Sequence, residues 1–223
     1  MEKTTSETLQ YQGLTGIFVG CIMKGVKEMP KGSSGKGESL KTNVPTTVKV
    51  LKEVPASESL REAVKLAEAQ ITGKFRDLRD EISAEFSRLK QEVYEDPGVL
   101  GYYSSSDGVV SISNKAVNYR DELKGFAGEA TQSLRGVVTH EIGHSLSIRP
   151  RSGYNNIDTT FEKSYKEYTR TNRGVTEKQF AETISVYAGT ARAEAFAEAF
   201  TDYTINGGNA KATSKLLIKH WKK

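Results

Sequence analysis

Residues 131–147 read TQSLRGVVTHEIGHSLS, and this run decides how the chain is to be read. Leu134, Val137, Val138, Ile142 and Leu146 recur at helical spacing, which predicts an amphipathic helix. Thr131 or Ser133 is the expected N-cap. On such a helix His140 and His144 stand one turn apart on one face. Two imidazoles in that register grip a single metal ion, and the carboxylate of Glu141 reaches a water beside it. The chain holds three histidines, and two of them lie in this motif. Gly143 costs about 1 kcal/mol of helix propensity against alanine, which marks close packing or a crowded site. The alternative is a buried helix whose His-Glu-His cluster is satisfied by hydrogen bonds alone, and such a cluster is expensive to desolvate.

Zinc in hydrolases takes three protein ligands and leaves one position open. No histidine follows between Ser145 and Gly153, and His220 lies in the Lys-rich tail LLIKHWKK. A carboxylate on a second helix is the better third ligand. Residues 190–203 read TARAEAFAEAFTDY, with Phe196 and Phe200 one turn apart. Glu194, Glu198 and Asp202 repeat at the same interval, so a carboxylate stripe runs along that helix. A solvated acidic face explains such a stripe. A dication with a partner histidine explains it better once the upstream motif is counted. Glu194 is the leading ligand candidate. Glu198 is expected to accept the free ring N–H of a ligating histidine and fix its tautomer. Asp202 does the same less directly, or caps neighbouring structure.

These residues carry a family resemblance. The chain has His140-Glu141-Ile142-Gly143-His144, then Tyr187, then Glu194-Ala195-Phe196-Ala197-Glu198-Ala199-Phe200. That order resembles the gluzincin metallopeptidases, and within them the anthrax lethal factor-type catalytic domain. The resemblance covers about Ser133 to Phe200 and is strong only in the two short motifs. It implies an α+β zincin-like fold with a small sheet and a mainly helical C-terminal half. It implies zinc on His140, His144 and Glu194, Glu141 as general base, and Tyr187 as the group that stabilises the transition state. The implied activity is endopeptidase. The end of that helix and the following Tyr203 to Lys211 (YTINGGNAK) resemble, more weakly, minor head proteins of phages and prophages. From this the expected setting is a virion or the host cytoplasm, with phage head or portal proteins as partners. A head-associated structural protein that keeps the peptidase fold is the rival reading. A toxin-like effector that cleaves a host protein is a third.

Working outward, residues 101–114 (GYYSSSDGVVSISN) predict a hairpin turning at Asp107-Gly108. Val109 to Ser113 is expected to be an edge strand that pairs with an extended peptide substrate. Thr46 to Val54 alternates like a strand. A long charged helix is expected from Ser57 or Ser59 to about Val93, with Ser59 to Glu62 as a capping box and a bend at Gly73. Further helices are expected at 158–170, 176–187 and 212–221, the last burying Leu216, Leu217 and Trp221.

With 223 residues the chain can bury a sizeable core. The expected organisation is a catalytic domain over 56–223 and an N-terminal extension over 1–55 with a Gly/Ser-rich linker at 29–45. Apolar residues make up 36% and charged ones 27%, which fits a soluble, helix-rich protein. A net charge of +4 does not by itself indicate nucleic acid, although the basic run from Lys211 to Lys223 leaves a contact open. Cys21 is the only cysteine, which excludes an intrachain disulfide and a cysteine zinc site. The apolar run from Ile17 to Met23 is too short to span a bilayer and reads as a buried strand or short helix. The start of the chain is acidic-polar and does not resemble a signal peptide.

Overall fold

The computed structural model describes residues 19–22 (backbone), 39–41, 48–96, 98–116, 127–149 and 151–223. The described elements form a mixed sheet followed by a helical half. The strands are β1 (Val19–Ile22), β2 (Val50–Val54), β3 (Lys90–Tyr94), β4 (Val99–Ser104) and β5 (Val109–Ser113). The helices are α1 (Glu58–Lys74), α2 (Arg79–Ser87), α3 (Leu134–Ile148), α4 (Ile157–Thr169), α5 (Glu177–Glu182), α6 (Arg192–Asn206) and α7 (Ala212–Trp221). This is the α+β, zincin-like arrangement expected. The linker expected at 29–45 lies outside the described residues, except for 39–41.

The sheet order is β1-β4-β5-β3-β2. β5 pairs antiparallel with β4 and parallel with β3. It therefore lies at the centre of the sheet, and the expectation of an edge strand at Val109 to Ser113 is wrong. The edges are β1 and β2, and β1 runs antiparallel along β4 with Cys21 opposite Gly101. The cause of the misreading is β3. The single helix expected to run to Val93 breaks at Phe75, passes through a 3-10 turn at Arg76–Leu78, and ends at Ser87. Residues 90–94 then form a strand, inserting β3 beside β5. The break is not at Gly73, which lies inside α1. Ser57, not Ser59, caps α1 by accepting from the Leu60 amide. The helix expected at 176–187 stops at Glu182, capped by a Thr176–Gln179 capping box, and a 3-10 turn follows at Tyr187–Thr190.

One sheet face supplies Tyr103, Val110 and Ile112 to the main core, where α1, α3, α6 and α7 meet. An aromatic cluster anchors it: Phe75 stacks on Phe200 at 5.1 Å, and Trp221 meets Phe196 edge-on at 5.1 Å. Such rings bury the largest apolar areas available to side chains, and their offset and edge contacts add to that gain. α3 and α6 pack tightly beside this cluster. A Cβ on Gly143 would lie 3.2 Å from the Ala197 Cα and 3.3 Å from Phe200, so any larger residue would push the helices apart by a few tenths of an ångström. That approach brings the HExxH face of α3 against the first turns of α6.

Candidate metal centre

Ser133 caps α3 by accepting from the Gly136 amide, and the helix carries His140, Glu141 and His144 into the interior. α6 begins at Arg192 and places Glu194 in its first turn, where the helix dipole favours a carboxylate. His140, Glu141, His144 and Glu194 are between 0% and 3% exposed. The His140 Nε2, His144 Nε2 and Glu194 Oε2 atoms lie 3.1 Å from one another in all three pairings. The spacing matches a metal site: ligand atoms about 2.0–2.1 Å from zinc in tetrahedral geometry sit roughly 3.3 Å apart.

The proton inventory points the same way. Glu198 Oε1 faces His140 Nδ1 at 3.1 Å, and both Glu198 oxygens also accept other hydrogen bonds. A carboxylate is acceptor-only, so Nδ1 is the donor, and a neutral His140 then turns a bare Nε2 lone pair toward the triad. His144 Nε2 can donate one hydrogen at most. Three mutual contacts cannot all be hydrogen bonds on that inventory, and at least one brings two lone pairs together. A single cation resolves all three contacts. The donor set, two imidazoles and one carboxylate, suits zinc with an open fourth position. Electrostatics inside the cluster are strong. With no metal bound, burial pushes the Glu194 carboxyl up, but His144 and His140, where they are protonated, outweigh it and bring it down to about 2. Burial likewise pushes Glu198 up, and His140, Thr131 and the Gly128 amide hold it below the ordinary carboxylate value.

The other sequence candidates divide. Glu141 lies against β4: a Cβ on Gly101 would stand 2.9 Å from its Cγ and 3.0 Å from Oε1. Tyr187 is buried in the 3-10 turn before α6, its ring 5.8 Å from that of His140. Asp202 does not join the cluster. It accepts from Asn206 Nδ2 at 2.7 Å and the Lys211 amide at 2.8 Å, tying down the end of α6. His220 is also elsewhere, its Nε2 2.7 Å from Glu167. The basic tail is engaged internally: Lys219 pairs with Glu167 and Lys222 lies over the Phe75 ring.

Sequence reading missed Gly101, Gly128, Thr131 and Arg192. Arg192 had a usable signal. A cation in the first turn of a helix opposes the macrodipole and demands partners. It finds Asp158, Glu162 and Glu177 at 3.0–3.3 Å.

No family model, curated protein or solved structure matches the chain. The α+β fold and the buried His140–His144–Glu194 cluster define a candidate metal-binding site consistent with a metal-dependent hydrolase of zincin-like design. No helix among the described residues is long and apolar enough to cross a membrane.

Proposed function

We propose that the protein is a zinc-dependent endopeptidase acting on an extended polypeptide, with His140, His144 and Glu194 as metal ligands in the gluzincin arrangement. The observation that supports this reading best is the mutual 3.1 Å approach of two Nε2 atoms and one carboxylate oxygen, on a helix that also carries Glu141. Zinc held there supplies Lewis acidity toward a water and a peptide carbonyl. Glu141 takes the proton from the attacking water and delivers it to the departing amine. Its carboxylate is thereby regenerated in each cycle. The Tyr187 hydroxyl donates to the oxyanion that develops on the carbonyl. Glu198 holds the His140 ring by accepting from Nδ1. The likeness of Tyr203 to Lys211 to minor head proteins supports an origin in a phage or other mobile element. The rival reading is a head-associated structural protein that keeps the fold without the chemistry. It differs in needing no stoichiometric zinc.

Purified protein is expected to hold one zinc per chain and to digest a peptide library, and a chelator is expected to stop the digestion. Glu141→Gln should retain the zinc and lower turnover roughly 10²–10⁴-fold. A variant that cuts as fast as the wild type removes the assigned mechanism.

A further inference from the structure

Glu198 does more than face His140. It is 1% exposed, and each of its oxygens has its own donor. Oε1 accepts from the Thr131 hydroxyl at 2.6 Å, and Oε2 accepts from the Gly128 amide at 2.6 Å. The two donors belong to one tight turn, closed by the Thr131 amide donating to the Gly128 carbonyl at 2.9 Å. The turn comes this close only because glycine stands at two positions. A Cβ on Gly128 would lie 2.9 Å from Glu198 Oε2. A Cβ on Gly136, in the first turn of α3, would lie 2.0 Å from the Ala130 carbonyl oxygen and 2.7 Å from the Thr131 Cα. Thr131 is not used as a helix cap, because Ser133 fills that role. Its hydroxyl, on a residue 1% exposed, goes to Glu198 instead.

We propose that the Gly128–Thr131 turn is a positioning element for the metal centre: it clamps Glu198, which fixes the His140 tautomer and so sets zinc affinity. This rests on the metal reading of the triad. With both oxygens engaged, the Glu198 carboxylate cannot rotate away from the ring. His140 Nδ1 therefore keeps its hydrogen, and Nε2 keeps the lone pair that a metal needs. Without the Thr131 hydroxyl, Oε1 has only the His140 ring as its partner, the carboxylate can turn, and the tautomer is no longer held. Thr131 and Gly128 do not touch the metal or the substrate, so they act through Glu198.

The test is zinc affinity, measured by competition with a chromophoric chelator, which needs no turnover. Thr131→Val keeps the shape and removes the hydroxyl. It is expected to weaken zinc binding about tenfold, within the range seen when outer hydrogen-bond partners of metal ligands are lost. Thr131→Ser restores the donor and is expected to return to within about threefold of wild type, the pattern a merely structural role does not produce. Equal affinity in Thr131→Val and wild type overturns the proposal. A wild type that takes up no zinc refutes the metal reading itself, which is a separate outcome. Should Thr131→Val fail to fold, long-range ¹⁵N–¹H correlation spectra of the metal-free wild type decide. They should show the His140 ring protonated at Nδ1 and unprotonated at Nε2, and the opposite assignment overturns the proposal.

Discussion

Two buried polar clusters begin two residues apart on α6, and they are built on opposite principles. Arg192 is a buried cation ringed by the carboxylates of Asp158, Glu162 and Glu177. Its surroundings also fasten the chain at 39–41: Ser39 Oγ lies 3.0 Å from Arg192 Nη2, and the Arg192 amide donates to the Lys41 carbonyl at 2.8 Å. Glu194 is a buried anion facing two imidazoles, of which that of His140 turns a lone pair toward it. The first cluster pairs its buried charge with the chain's own side chains. On the proposed metal reading, the second is completed by an added cation. A buried charge without a partner is unstable in a protein interior, so this difference separates a structural knot from a candidate binding site.

Removing the ligand set tests the contrast most severely. At a thousandfold excess of free zinc over its Kd, binding to the folded state alone stabilises by about 4 kcal/mol. For a chain of this size that raises the melting temperature by roughly 10 °C. Wild type should show this rise and lose it on chelation, whereas Glu194→Ala should show none. A zinc-dependent rise that survives in Glu194→Ala would dissolve the distinction between the clusters. Breaking the other cluster should cost less and ignore metal. Arg192→Met leaves Glu177, 15% exposed, without its cation, and is expected to destabilise by about 2 kcal/mol. The loss in thermal or urea unfolding should be the same with and without zinc. A zinc-dependent loss would mean that the two sites are coupled through the first turn of α6.

The smallest effect concerns a third buried carboxylate, which sharpens the rule. Glu92, on β3, is buried, and burial pushes its carboxyl up, with the neighbouring Ser111, Tyr102 and Lys90 only partly offsetting this. Glu194 is also buried and, with no metal bound, is pulled down where its imidazoles are protonated. A carboxyl whose folded value is raised stabilises the fold below its unfolded value and loses that contribution as pH rises through the folded value. Glu92→Gln should therefore melt progressively higher than wild type as pH rises from about 4 to 8, measured in parallel thermal scans. Curves that stay parallel would count against the assignment.

Much of the helical half was legible because its signals are local. The α3 motif, the α6 carboxylate stripe and the limits of α4 and α7 follow from periodicity within a few turns. What failed was long-range. Lys90 to Tyr94 continues the apolar spacing of α2, and nothing local shows that it leaves the helix to insert beside β5. The clamp on Glu198 joins residues 67 and 70 positions apart, a pairing that no spacing rule detects. The Glu194 assignment was legible because the stripe showed which face of α6 mattered, although the 3.1 Å approach required coordinates.

The strand that meets Glu141 has company on both sides, since β4 is flanked by β5 and by residues 19–22. An outside chain that lines up along β4 must evict a segment of the same polypeptide. The backbone bonds it makes replace bonds already made, so the exchange is close to neutral in main-chain hydrogen bonding. Preference for one visitor over another along that strand must then come from its side chains.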